Sequence, residues 1–456
     1  MIENKNVVRY IILILIVFLW PVIAMAQVNG YWKGTLDLGS QQLEIGFDIK
    51  NDDSLTAALD VPAQGAYGIP AECIFADNEL IINVKSIGAT YKGSQNGEKI
   101  VGTFSQGGAE FPLELTKSDR RQARKVRPQD PKEPLGYIVE DVFFENTIDN
   151  ITLAGTLTMP RGEGPFPAVV LVSGSGTQNR DEELMDHRPF RVIADHLTRH
   201  GIAVLRYDDR GFAPSQGDAS TATTADLAND AHAAFNYLLD RKETDNDNIG
   251  FMGHSEGGMI DFMVAAREPR VAFIVSLAGP AVKGSVILKQ QQRDILKAQG
   301  YSDEAVDFVN ATNAKLIDIV VESGDIDSAV AEINQYLAQF NTPQATIDQY
   351  TGQLCSPWMY YFLRHDPLDD IVAAQCPALL LNGTKDLQVN ADINLSQFKK
   401  IAKQHRKKNL VIRKMKGLNH LFQHCTTGHP DEYYEIDETI APEVLEIMTK
   451  FIKKHK

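Results

Sequence analysis

The chain has 456 residues, enough for about two or three domains, and its 43% apolar content is ordinary for a globular protein. Lys and Arg total 45 against 60 Asp and Glu, a formal net charge of −15. That balance argues against a nucleic-acid partner, because a phosphate backbone calls for a basic face. It bears on solubility and says nothing about catalysis.

The first residues read as a targeting segment. Lys5 and Arg9 precede an apolar run from Tyr10 to Trp20, and Ala24-Met25-Ala26 sets small residues at both cleavage-determining positions. Residues 1–26 are therefore expected to be a secretory signal peptide cut before Gln27, with a periplasmic or secreted product. An uncleaved anchor is the alternative, disfavoured by the short apolar core. No cysteine stands at the cut to take a lipid, and no later segment is apolar enough to span a bilayer. Export permits disulfides. The 4 cysteines, Cys73, Cys355, Cys376 and Cys425, are too few and scattered for a framework. A Cys355–Cys376 bridge is conceivable, and pairing stays open.

Residues 27–117 read as an all-β domain. Short strands such as Gly30–Leu36, Leu43–Ile49 and Leu80–Val84 are separated by turn signals at Asn51-Asp52-Asp53 and Asn96-Gly97. Alternation with tight turns predicts a small antiparallel barrel or sandwich. Residues 118–136 follow, with Arg120, Arg121, Arg124, Lys125 and Arg127 and then Pro128, Pro131 and Pro134. Clustered charge and proline predict an exposed linker.

From residue 137 to 456 the pattern becomes alternating strands and helices. Expected strands cover 151–159, 166–172, 202–206, 248–252, 271–277, 378–381 and 410–415, with helices near 190–199, 224–239, 258–266 and 392–404. Near-continuous apolar strands between helices predict an α/β fold, a mostly parallel sheet with helices on both faces. Residues 284–365 interrupt it with helical periodicity and are expected to form a cap. Its last run, Trp358-Met359-Tyr360-Tyr361-Phe362-Leu363, is expected to pack in a core, with lining of an acyl pocket as the alternative.

Chemistry concentrates at Gly253-His254-Ser255-Glu256-Gly257, a G-x-S-x-G sequence between a strand and a helix. In that context it predicts a nucleophile elbow with Ser255 at the tip. Glycines flank the serine because the chain passes itself too closely for side chains. A serine hydroxyl needs a base, and the base a carboxylate to orient it. On such a sheet the order should be serine, acid, histidine, each after a strand. Asp386 follows the strand through Leu379-Leu380-Leu381, and His420 follows Leu410–Met415. His424 and His429 are rivals lying farther from the strand end. His420, His424 and Cys425 have local metal-ligand spacing but no accompanying metal motif. No metal and no cofactor are expected. His254 is expected to pack at the elbow rather than act as the base. The oxyanion donors are expected to be the N–H of Glu256 and an N–H of the loop Ser173-Gly174-Ser175-Gly176, with Ser175 favoured and Gly174 or Gly176 as alternatives.

The elbow, the Ser-Gly-Ser-Gly loop, the Arg206-Tyr207-Asp208-Asp209-Arg210-Gly211 turn and the Asp386/His420 pair together resemble the α/β-hydrolase superfamily. The likeness is nearest to exported bacterial esterases of the dienelactone-hydrolase and acyl-peptidase branch. It covers residues 137–456, and it departs from many relatives in having Ser173 where they carry histidine before glycine. The resemblance implies a serine hydrolase acting on a small-molecule carboxylic ester through an acyl-enzyme. A short- to medium-chain acyl group is expected, because the cap should restrict access. A serine peptidase of the oligopeptidase type is the second expectation, although residues 28–117 are too few for a propeller. A glycan- or lipid-binding protein with a vestigial hydrolase is the third. Oligomeric state and the role of the β domain stay open.

Overall fold

The computed structural model describes residues 28–37, 42–51, 55–62, 66–118, 125–212 and 214–455. The expected signal peptide lies outside them. The chain divides into two compact units, residues 1–124 and 125–456.

In the first unit, β1 (Gly30–Asp37), β2 (Gln42–Asn51), β3 (Leu55–Val61), β4 (Ala66–Ala76), β5 (Glu79–Val84), β6 (Ala89–Asn96), β7 (Lys99–Gln106) and β8 (Ala109–Ser118) form an antiparallel meander. Pairing of β1 with β8 closes it into a barrel. The period of two explains the inside: in β5, Leu80, Ile82 and Val84 are buried while the residues between them are half-exposed. Trp32, Phe47, Leu59, Tyr91, Ile100 and Leu115 fill the interior. Eight strands leave room for little more than such side chains. Tyr91 is satisfied there by donating its hydroxyl to the Ile100 carbonyl at 3.1 Å.

The second unit begins earlier than the linker expectation. Arg127 is wholly buried and donates to the carbonyls of Met185 (2.6 Å), Ile436 (2.7 Å) and Tyr434 (2.9 Å). A guanidinium carries donors enough to serve three converging carbonyls, so a charge read as solvated is instead a clasp.

The strands and helices of this unit run in the order β9 (Ile138–Asn146), β10 (Ile151–Met159), β11 (Phe166–Val172), α1 (Pro189–Arg199), β12 (Ala203–Tyr207), α2 (Thr224–Leu239), β13 (Thr244–His254), α3 (Glu256–Ala265) and β14 (Ile274–Leu277). Helices α4 (Gly284–Ala298), α5 (Asp303–Glu322), α6 (Ile326–Ala338), α7 (Gln344–Leu354), α8 (Pro357–Arg364) and α9 (Leu368–Ala373) follow. The unit ends with β15 (Ala378–Gly383), α10 (Ala391–Gln404), β16 (Leu410–Met415) and α11 (Pro442–Lys454). The eight strands lie in the order β16-β15-β14-β13-β11-β12-β10-β9, with β10 antiparallel to both neighbours and the strands from β12 to β16 parallel.

Apolar strands feed both faces. On β11, Ala168, Val170 and Val172 join Phe235 of α2, Phe262 of α3 and Phe398 of α10. Val169 and Leu171 join Phe190 of α1 and Val444 of α11 on the other face. The α2 N-terminus is capped: Thr223 accepts from the Asp226 N–H, and Asp226 returns the bond to the Thr223 N–H, a capping box. The insertion between β14 and β15 is helical, as its periodicity predicts. Leu316, Val320, Ile333, Leu337 and Leu363 give it a core of its own. All four cysteines are free thiols, so the conceivable Cys355–Cys376 bridge is not formed.

Candidate active site

The chain leaves β11 in one direction toward β12 and later returns beside β11 as β13, so the strand order reverses there. In open α/β sheets the crevice beyond the strand ends at such a reversal is where ligands bind. The expected site residues all follow strands at this end: Ser175 after β11, Ser255 and Glu256 after β13, Asp386 after β15 and His420 after β16.

Ser255 turns the chain from β13 into α3 with φ 52° and ψ −121°. A left-handed φ at a serine costs about 1–3 kcal/mol and persists only where the surroundings impose it. Packing shows what imposes it. A Cβ on Gly253 would sit 2.1 Å from the Gly257 carbonyl carbon, and one on Gly257 would sit 2.1 Å from the Val172 oxygen. The turn can be this tight only with glycine on both sides. The Ser255 N–H donates to the Leu277 carbonyl at 2.8 Å, pinning the tip to β14.

Asp386 and His420 meet. His420 Nδ1 lies 2.8 Å from Asp386 Oδ2, and both side chains are buried. Asp386 is held from all sides: Oδ1 accepts the N–H groups of Gln388 and Val389, each at 2.8 Å, and Oδ2 also accepts Asn382 Nδ2 at 2.9 Å. His420 rides a hairpin closed by the Leu418–His424 bridge and by the Asn419 N–H donating to the Gln423 carbonyl. Ser255 Oγ makes no hydrogen bond to His420 in this structure, which in apo enzymes commonly forms only with substrate in place. The loops are nonetheless joined one residue away. His254 Nε2 lies 3.0 Å from the His420 carbonyl, with the two rings 4.6 Å apart.

The rival histidines turn elsewhere, His424 to Glu438 at 2.9 Å and His429 to Asp431 at 3.2 Å. His254 is more than elbow packing. Its Nδ1 lies 2.9 Å from Glu182 Oε1, which also accepts the Gly174 N–H at 2.8 Å. Burial disfavours the charged ring, but the Glu182 carboxylate outweighs it and raises the His254 pKa. Glu182 therefore links the histidine beside Ser255 to the Ser-Gly-Ser-Gly loop. No pattern in the sequence pointed to it, because a glutamate on an irregular loop has no periodicity or spacing to betray it.

The same loop is held from β12. Ser173 Oγ donates to Asp209 Oδ1 at 2.7 Å, and the Gln178 N–H donates to Asp209 Oδ2 at 2.8 Å. Arg210 forks onto Asp230 of α2 at 2.6 and 2.8 Å. The Asp-Asp-Arg-Gly turn is thus a scaffold for the loop. With the Gly174 N–H taken by Glu182, the Ser175 N–H is left without a partner among the described residues. The Glu256 N–H opens helix α3, where the first N–H groups have no partner within the helix. The Glu256 carboxylate is buried and accepts from Thr224 Oγ1 (2.6 Å), Ser175 Oγ (2.7 Å) and Trp358 Nε1 (2.9 and 3.1 Å). Burial pushes its pKa up against the pull of those bonds.

Topology, elbow and insertion together define an enzyme of the α/β-hydrolase type, a serine hydrolase. Residues 149–425 match the X-Pro dipeptidyl-peptidase (S15) family, and the chain belongs to that family. Among curated relatives, Esterase EstD of Thermotoga maritima is 28% identical over 337 residues, 72% of each chain. Among solved structures, an esterase of Pyrococcus furiosus aligns with TM-score 0.45 at 16% identity, over 74% of this chain and 96% of its own. The α/β hydrolase GrgF from Penicillium sp. aligns with TM-score 0.44 at 22% identity, over 70% and 99%.

Proposed function

We propose that the protein is an exported serine hydrolase that cleaves carboxylic esters with short or medium acyl chains. His420 Nε2 takes the Ser255 proton as Oγ attacks the ester carbonyl. The N–H groups of Glu256 and Ser175 stabilise the oxyanion, the alcohol leaves, and water then releases the acid from the acyl-enzyme. Asp386 holds the imidazole in the tautomer that leaves Nε2 free to accept. No cofactor enters these steps.

The observation that carries this reading is the 2.8 Å Asp386–His420 pair on a hairpin whose His420 carbonyl touches His254, next to the strained Ser255. The esterase name of the Thermotoga relative supports the ester class. Ser255→Ala is expected to abolish p-nitrophenyl butyrate hydrolysis and fluorophosphonate labelling. Wild-type turnover by the purified variant would refute the assignment. The export proposal rests on the apolar run and Ala24-Met25-Ala26. A mature N-terminus other than Gln27, found by sequencing protein from the producing cell, would count against it.

The family description favours a second reading, a peptidase that releases dipeptides ending in proline. A Gly-Pro p-nitroanilide cleaved with higher kcat/KM than p-nitrophenyl esters would reverse the preference.

A further inference from the structure

Glu256 has two faces in this site. Its N–H is one proposed oxyanion donor, and its carboxylate grips the residue that supplies the other. Ser175 Oγ donates to Glu256 Oε2 at 2.7 Å, Thr224 Oγ1 of α2 donates to Oε1 at 2.6 Å, and the indole N–H of Trp358 reaches both oxygens at 2.9 and 3.1 Å. Trp358 belongs to α8, near the end of the insertion, and stacks on Phe362 at 5.6 Å. One buried carboxylate therefore touches the elbow, the oxyanion loop, helix α2 and the cap.

Three other buried carboxylates nearby have cationic or histidine partners, Asp208 with Arg180, Asp230 with Arg210 and Glu182 with His254, whereas Asp209 is held by the neutral donors Ser173 and Gln178. Glu256 has three neutral donors and no cation among the described residues. Burying an ion without a counter-charge is costly, and an apolar side chain would fill the place more cheaply. What a carboxylate provides there is geometry. Two oxygens can hold three donors from three separate elements in fixed register. Trp358 lacks any acceptor atom and can only donate, so the cap contact needs an oxygen on Glu256.

We propose that the Glu256 side chain is a positioning group that ties the oxyanion loop to the cap through Ser175 and Trp358, so that the oxyanion hole is fully set only while α8 is docked. This rests on the reading of the Ser175 and Glu256 N–H groups as the oxyanion donors. The consequence is that a contact on the cap, remote from the reacting atoms, acts on kcat. Loss of one oxyanion donor costs about 10²–10³ in rate, so a donor left in place but misaligned should cost less.

The test compares Trp358→Phe, Ser175→Ala, their double variant, Glu256→Leu and Glu256→Gln on p-nitrophenyl butyrate, with thermal melting and fluorophosphonate labelling in parallel. Trp358→Phe keeps an aromatic ring against Phe362 and removes the N–H together with part of the indole's apolar area, so thermal melting serves as its packing control. It is expected to lower kcat about 10- to 100-fold with KM within about 3-fold, as for an interaction felt mainly in the transition state. Ser175→Ala should behave likewise. The double variant should fall well short of the product of the two single losses, because both act through one carboxylate. Glu256→Gln keeps an oxygen for Trp358 and a polar partner for Ser175, and should retain kcat within about 5-fold where Glu256→Leu does not. All variants should label to full stoichiometry, only more slowly. Unchanged kcat in Trp358→Phe, or independent losses in the double variant, would overturn the proposal. Failure of the wild-type protein to label would instead bring down the serine-hydrolase assignment, a separate outcome. Should Glu256→Leu fail to fold, the two single variants and their cycle still decide the matter.

Discussion

Replacing Asp386 by asparagine isolates the role of its charge from that of its shape. Asp386 Oδ1 accepts two backbone N–H groups, from Gln388 and Val389, each at 2.8 Å. An asparagine must place its only oxygen there, because the alternative sets its NH₂ against both donors. Its Nδ2 then occupies the Oδ2 position, 2.8 Å from His420 Nδ1 and 2.9 Å from Asn382 Nδ2. Facing a donor, His420 must present Nδ1 as an acceptor and carry its proton on Nε2, the wrong end for taking a proton from Ser255. Tautomer reversal of this kind costs about 10⁴ in kcat, or roughly 5.5 kcal/mol of barrier. Asn382 now meets a donor as well. Turning its amide over relieves that clash and gives its unpartnered Oδ1 a donor, at the loss of its bond to the Val389 carbonyl, 3.1 Å. Because the Val389 carbonyl then faces an acceptor and the buried Asn382 NH₂ has no acceptor, folding stability should fall by about 1–3 kcal/mol, the cost of leaving a buried polar group unpaired. Steady-state hydrolysis of p-nitrophenyl butyrate, with thermal melting as the fold control, measures both quantities. A loss of kcat under tenfold in a well-folded variant would mean that Asp386 does not set the His420 tautomer.

Gly257→Ala places a methyl 2.1 Å from the Val172 oxygen, so the elbow must shift, and activity should drop by at least about 10²-fold, the cost of roughly 1 Å of misplacement; an active, unshifted variant would refute the packing account of the turn. Arg127→Met strands the carbonyls of Met185, Ile436 and Tyr434. At about 1 kcal/mol or more for each, the melting temperature of the second unit should fall by roughly 4 °C or more, whereas a solvated linker residue would move it little. Asp261 is buried in α3, and burial raises its pKa well above the usual carboxylate value. Its contribution to stability is therefore full below the unfolded-state pKa and is lost as pH rises through the folded-state pKa. Asp261→Asn should gain in melting temperature relative to wild type as pH is raised from 5 to 8; a gap that is flat or closes over this range contradicts that sign.

Strong local signals made much of the second unit legible. The elbow glycines and the apolar strands through Val169 and Leu379 carry their periods and stereochemistry in adjacent residues. Helix α2 accordingly spans Thr224–Leu239, the residues its pattern marks. The order of Ser255, Asp386 and His420 could be read because each follows a recognisable strand. Strand β9 and helix α9 carry no comparable signal. The edge strand exposes Ile138, Val139 and Phe143 and lacks the continuous apolar run of its neighbours, and α9 is a short helix of a few apolar residues. Arg127 lies beyond such signals for a general reason: composition reports a charge, and only packing reports what surrounds it.

By itself, the sequence determined the class of sheet, the place of the insertion and the tight strand-to-helix turn at Ser255, because turn sterics and hydrophobic period are short-range properties. Tertiary structure alone decided how the loops close on one another. Glu182 joining His254 to Gly174, Asp209 holding Ser173, and Glu256 receiving Ser175, Thr224 and Trp358 are contacts between residues 8 to 102 positions apart. No local pattern encodes them, because they exist only once the sheet has brought the strand ends together.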